Sequence, residues 1–227
     1  MNQIINSLQP TSSGLWHIEG IDCNRILRTS QNLERQDRWA DACEYRAEKV
    51  QLLLDAAGEE SVPLDWNDAS SRAALELIYA SAIDYFSIDE VEMATALWER
   101  VIDFDEEDHL QATIMLAFCY VELEDYDCLE SVLSDISPKT AEYSLLQLWA
   151  TFRQTGGVER DALRDLRTRH KVWWEEFTAA EHPLDEAFLA DRQSERPSHR
   201  TEAREFWFAT APMWGRNTDF IEAISKA

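Results

Sequence analysis

Cations, chain breakers and long apolar runs are all scarce in this sequence, and each scarcity excludes something. Lys and Arg together number 21 against 44 Asp and Glu, for a net charge of −23. A nucleic-acid backbone would be repelled by such a surface, and so would an anionic membrane face. Glycine and proline number six each in 227 residues. With so few breakers, long helices are favoured over a sandwich of many turns. No stretch approaches the roughly 18 consecutive apolar residues of a membrane-spanning helix, and the opening MNQIINSLQPTSSGLW has neither the basic start nor the apolar run of a signal peptide. The four cysteines, Cys23, Cys43, Cys119 and Cys128, form no CxxC pair and have no histidine cluster beside them. That spacing disfavours zinc and fits buried thiols in a reducing, cytoplasmic setting. There is no GxSxG, Walker loop, GxGxxG or HExxH. No catalytic residue, metal ligand or cofactor is assigned, and the chain is not expected to be an enzyme.

What the chain has in quantity is apolar and aromatic surface: 45% hydrophobic residues, with nine Trp and nine Phe. This excludes a disordered chain and provides for a large core. The apolar residues recur at steps of three and four, the helical period. Ile26, Leu27 and Leu33 mark one helix and Trp39 to Leu54 a second, which Gly58 stops. Residues 58–71 read as a loop, with Asp68 or Ser70 capping the next helix. Four helices then run from Arg72 to Ile136, joined by the acidic turns SIDE, DFDEEDH and ELEDYD. AEYSLLQLWATFRQ is another, closed by Gly156 and Gly157, and residues 158–177 read as one more. Past residue 180 a short helix from Pro183, a polar linker, a helix ending near Pro212 and a terminal helix from Thr218 are expected. The first 20 residues are expected to form a partly loose lead onto which Trp16 and Ile18 tuck, and no segment alternates well enough for a sheet.

Within the helical stretch there is an internal repeat. Ala82 aligns with Ala117, Tyr85 with Tyr120, Val91 with Tyr126 and Trp98 with Leu133, always at an offset of 35 residues. The spacing is close to the ~34 residues of a tetratricopeptide repeat. Ala82, Tyr85 and Ala94 resemble that family's pattern of small residue, aromatic and small residue; Ala117 and Tyr120 match it again, with Leu129 in place of the last alanine. Ala150, Gly157 and Ala162 form a weaker copy with Arg153 at the aromatic position, and Trp39 and Ala42 a degenerate one. The family's proline between repeats is missing after the first clear copy, where Glu106 stands instead. The resemblance implies an all-α fold: a right-handed solenoid of helix-pair repeats over residues 21–170, with a C-terminal helical cap over 171–227. One helix pair cannot bury its apolar face alone, so pairs stack.

The resemblance also implies a concave groove. It would be lined by Tyr79, Ile83, Phe86, Ile114, Met115 and Phe118, then by the more polar Gln147, Leu148, Thr151 and Gln154. An apolar strip of this kind can hold a partner's helix or extended segment. The C-terminal aromatics Phe206, Trp207, Phe208, Trp214 and Phe220 are a second candidate to fill it. The basic clamp with which some members hold a peptide carboxylate is absent. Beside the strip lies an acidic edge, Asp103, Asp105, Glu106, Glu107 and Asp108. It is not an EF-hand loop, because counting from Asp103 the sixth place is Asp108 and the twelfth Ile114, where that loop needs Gly and Glu. The edge is either a solvated rim that caps helix N-termini or an attractor of a basic partner. The expected function is a non-catalytic adaptor, scaffold or chaperone-like binder of another protein or peptide. A helical enzyme or small-ligand sensor, with its pocket between repeats and cap, is the alternative, and a structural homo-oligomer the third.

Overall fold

The computed structural model of the protein describes residues 7–10, 14–58 and 62–226. The chain forms two compact units, residues 1–119 and 120–227. Compactness divides the chain at 119, within a helix. Among the described residues there are twelve helices and one two-stranded sheet. None of those helices is long and apolar enough to cross a membrane.

The first unit opens with a hairpin where a loose lead is expected. Strand β1 (Ser7–Pro10) pairs antiparallel with β2 (Trp16–Glu19), Leu8 opposite Ile18 and Pro10 opposite Trp16. Residues 1–6 and 11–13 of the lead lie outside the described residues. Trp16 N–H donates to Pro63 O at 2.9 Å and Asp65 N–H to Trp16 O at 2.9 Å, so the loop at 62–65 adds a third piece of extended backbone. Ile18 is buried and Trp16 half-buried, as the expected tucking requires. A four-residue strand is too short for a two-residue period to stand out, and its pairing is long-range.

Four helices complete this unit: α1 (Cys23–Glu34), α2 (Trp39–Ala57), α3 (Ala69–Ser87) and α4 (Val91–Phe104). A fifth, α5 (Ala112–Glu122), begins here. Helix α3 is central and packs on α1, α2, α4 and β2. Its sequence therefore lacks a clean polar stripe: Ala73, Ala74, Leu75, Leu77, Ile78, Ser81, Ala82 and Phe86 are all buried. Ala42, Ala82 and Ala94 have no exposure, and with only a Cβ each they let helices approach closely. Trp98 of α4 meets Tyr79 at 6.2 Å and Phe86 at 5.6 Å from α3, both in edge-to-face geometry.

One ion network ties three of these helices. Arg46 of α2 is 5% exposed. It donates from Nε and Nη2 to the two carboxylate oxygens of Asp84 on α3, both at 2.7 Å, and from Nη1 to Glu34 on α1. Burial alone would lower the guanidinium's pKa; Asp84 and Glu34 outweigh it and raise the value.

Three turns between paired helices share one construction. Asp37, Asp89 and Glu124 each adopt the left-handed conformation, with φ of 60°, 71° and 58°. In each case the next N–H reaches back five residues: Arg38 to Leu33 O (3.0 Å), Glu90 to Tyr85 O (3.0 Å) and Asp125 to Tyr120 O (2.9 Å). This is the Schellman closure, usually made by glycine, here made by acids.

The second unit holds α6 (Tyr126–Leu133), α7 (Ala141–Thr155), α8 (Arg160–Arg169), α9 (Lys171–Phe177), α10 (Glu186–Arg192), α11 (His199–Arg216) and α12 (Thr218–Lys226). Residues 158–177 are two helices rather than one, broken at His170 (φ −119°, ψ 40°). The run RTRHK explains this. Clustered cations suit a helix C-terminus, and Arg167 and Arg169 sit in the last turn of α8. The short helix starts at Glu186 under an Asp185 cap rather than at Pro183. Helix α11 continues through Pro212 to Arg216. The missing N–H would have served the carbonyl of Phe208, an exposed residue, where losing that bond costs least.

The core of this unit is aromatic. Trp149 meets Trp214 at 5.6 Å and Phe220 at 5.0 Å, while Phe177 meets Trp207 edge-on at 5.2 Å. Beside it Glu176, 1% exposed, accepts from Arg204 Nε at 2.6 Å and lies 3.1 Å from His182 Nδ1. Burial would raise the pKa of Glu176, but Arg204 and His182 outweigh it and hold it below the usual carboxylate range.

This packing has three measurable consequences. Ala82→Leu should destabilise by ~1–3 kcal/mol through overpacking. Arg46→Met should cost ~3–5 kcal/mol, because two carboxylates are left without their cation. Both are checked by urea unfolding. The lowered pKa of Glu176 stabilises the fold fully above the ordinary carboxylate pKa, and that contribution is lost as pH falls through the folded value. The stability difference between wild type and Glu176→Gln should therefore shrink on acidification, as unfolding at a series of pH values will read.

Candidate functional site

The acidic turn between α4 and α5 meets the loop before α3 and builds a cleft. Asp105 ends α4 and is 4% exposed. Its carboxylate accepts from the His109 backbone N–H at 2.8 Å and lies 2.7 Å from His109 Nδ1. A carboxylate only accepts, so Nδ1 is the donor in this contact, which leaves Nε2 on the far side of the ring. There Nε2 comes within 3.3 Å of Glu107 Oε2. The imidazole lies flat on Trp66, with centroids 4.5 Å apart and planes 5° from parallel. The Arg72 guanidinium stands 5.9 Å from the same indole. Leu64 N–H donates to Phe104 O at 2.7 Å, which fixes the loop against the end of α4. The resulting cleft encloses about 360 Å³ and is lined by the apolar Leu15, Pro63 and Phe104 and by the polar Asp65, Asn67, Glu106 and Glu107.

The five acids of the predicted edge have different roles. Asp105 faces inward and positions His109. Asp108, half-buried at φ 49°, accepts from Ala112 N–H at 2.6 Å and Thr113 N–H at 3.1 Å, and so caps α5. Asp103 is exposed and lies 3.3 Å from Arg100, a turn behind it. Glu107 is exposed beside His109. Glu106 is exposed and has no cationic partner among the described residues. The outward charge is thus Asp103, Glu106 and Glu107.

The six residues of the predicted groove also divide. Phe86 and Phe118 have no exposure and Met115 is 2% exposed; these three are interior. Tyr79, Ile83 and Ile114 are half-buried and reach the surface. The Tyr79 phenol is pushed up to about 12, first by burial and then by the charge of Asp108. That places the strip's first residue within the field of the acidic turn. Of the more polar set, Leu148 is buried, Gln147 and Thr151 are half-buried and Gln154 is exposed. Among the C-terminal aromatics, Trp214 and Phe220 are buried in the core of their own unit.

Sequence reading did not anticipate Trp66 as a site residue. Its only signal was a lone aromatic in the polar stretch LDWND, within an expected loop whose residues 59–61 lie outside the described residues. His109, read as a surface histidine, has its side chain 31% exposed and is held on two sides. No group of three or more His, Cys, Asp or Glu among the described residues is arranged to hold a metal ion.

Comparison with known proteins yields no matching family model, no matching curated protein and no matching solved structure.

The split between structural and outward acids can be measured. Asp108→Ala should cost ~1 kcal/mol, the usual worth of a lost N-cap. Glu106→Gln should change stability by less than ~0.5 kcal/mol, as for an unpaired surface group. Chemical denaturation of the two variants side by side tests both.

Proposed function

We propose that the protein is a non-catalytic binder of a basic protein segment, built on tetratricopeptide-like helix pairs. The acidic cleft at Trp66 and His109 is its first point of contact. The observation that carries this reading is the cleft's rim: Glu106 and Glu107 are exposed above a fixed aromatic stack, with Asp65 beside them. A Lys or Arg side chain entering there gains charge-assisted hydrogen bonds from carboxylates gathered along one rim. The surrounding field acts over a longer range. From Asp84 to Asp135 there are sixteen acidic residues and one Arg, so a cationic partner is drawn in and anionic competitors are repelled. The half-buried Tyr79, Ile83 and Ile114 supply adjacent apolar surface for the same segment.

The repeat reading is supported by the Schellman turns. Those at Asp89 and Glu124 are 35 residues apart, the offset of the sequence repeat, and Asp37 closes an upstream pair in the same way. The compartment this reading implies is the cytoplasm, where Cys23 and Cys43 remain thiols. Burial first, and then Asp22, pushes the Cys23 thiol up to about 12, which leaves it unreactive.

Capture from a host lysate and subsequent mass spectrometry identifies the partner. A Lys/Arg-rich segment of that partner should then associate more slowly as salt rises, because screening shortens the reach of the field. The combined variant Asp103→Asn, Glu106→Gln, Glu107→Gln should lower the association rate more than it raises the dissociation rate. Binding that ignores both salt and these substitutions removes the acidic cleft from the function.

A further inference from the structure

A second cavity lies between α2 and α3, away from the acidic cleft, and the binding of a basic segment gives it no role. It encloses about 210 Å³ and is lined by Cys43, Glu44 and Ala47 of α2, by Ser81, Asp84 and Tyr85 of α3, and by Ile88 just beyond. Glu44 is exposed and Ile88 is 66% exposed, so both stand at the mouth. At depth is Ser81, with no exposure, whose Oγ has no hydrogen-bond partner among the described residues. Its neighbours behave differently. Ser87 donates to Ile83 O at 2.7 Å and Thr95 to Val91 O at 2.8 Å, each closing onto its own helix. A buried hydroxyl without a partner, on a residue that lines a cavity, is a group waiting for one.

We infer that this cavity is a binding site for a small uncharged molecule, the size of one six-membered ring, that bears a single hydroxyl for Ser81. Size, polarity and charge all point to that class. An apolar cavity of about 150 Å³ holds benzene, so 210 Å³ admits a substituted ring. The walls are largely apolar. Their one inner charge, Asp84, is already matched by two bonds from Arg46 at 2.7 Å, so it has no call for a cation. An anion would face Asp84 and Glu44. The Cys43 thiol stays protonated, its pKa raised by burial and then by Asp84. A neutral hydroxyl can both accept from and donate to Ser81.

Phenol and toluene differ by a hydroxyl in place of a methyl and are nearly equal in volume, so they are the probes. Titrated into the full-length protein and tracked by amide chemical shifts at Cys43, Ser81 and Ile88, phenol should bind saturably and roughly fivefold or more tighter than toluene, the worth of one hydrogen bond. Ser81→Ala should erase that preference while toluene still binds, and Ala47→Leu should abolish both by filling the space. In the wild type, phenol should slow alkylation of Cys43 by iodoacetamide without slowing that of Cys128, a readout that needs no variant. Absence of saturable binding overturns the inference, and so does equal affinity for the two probes. It is also overturned by a phenol preference that survives Ser81→Ala, or by binding of a tyrosine-bearing peptide in place of phenol.

Discussion

The first unit depends on a charge held where water does not reach. Arg46 sits inside a helical layer that would pack as well with an apolar side chain, yet it joins α1, α2 and α3 through Glu34 and Asp84. Such a network adds little net stability over a hydrophobic equivalent, but breaking it is costly, since each carboxylate would be stranded. It therefore acts on register more than on affinity between helices. A helix shifted by one residue would leave a buried guanidinium and two half-buried carboxylates unmatched, whereas shifted apolar faces would find substitutes. The same network shapes the cavity beside it, because Asp84 can form a neutral wall only while Arg46 holds both its oxygens. Glu176, with Arg204 and His182, has the corresponding position against the aromatic core of the second unit.

A net charge of −23 ought to strain a compact chain through self-repulsion. Much of it is placed where it stabilises. Asp22, Asp68, Asp125, Glu159 and Asp185 cap the helices that begin beside them, and Asp108 does the same for α5. Each satisfies N–H groups that a helix leaves open and meets the positive end of its dipole. What is left outward on the α4–α5 turn is a smaller and more local charge than composition implies, and its setting beside Trp66 and His109 distinguishes it from the rest of the acidic surface.

The helices were legible because their cause is local. Three- and four-residue spacing marked α2 through α7, Gly58 and Gly156 marked two ends, and Asp68 one beginning. What escaped was non-local or chemically disguised. The hairpin depends on pairing between short segments and with residues near Leu64, which no window of sequence displays. Position along a helix assigned Phe86, Met115 and Phe118 to a groove, but periodicity reports which side of a helix a residue is on and not what lies against that side. The stack of His109 on Trp66 joins residues 43 positions apart, and a loop's composition carries no record of its tertiary partner. Ser81 reads as one more small residue on a crowded helix until the neighbouring α2 is in place.

The Schellman turns were hidden for a different reason. Their sequence signal is glycine, and here the left-handed positions are Asp37, Asp89 and Glu124. A non-glycine residue held there costs about 1 kcal/mol or more, so contacts made by the side chain have to offset the strain. Two such contacts are visible. Asp37 accepts from the Trp39 indole N–H at 2.9 Å, steadying the first turn of α2, and Glu124 pairs with Arg153 of α7 at 2.9 Å. A glycine would relieve the backbone but lose the link between turn and helix. The acids of these turns are therefore part of how consecutive helices are joined, and only the acids that lack such a task, Glu106 foremost, are free to face a partner.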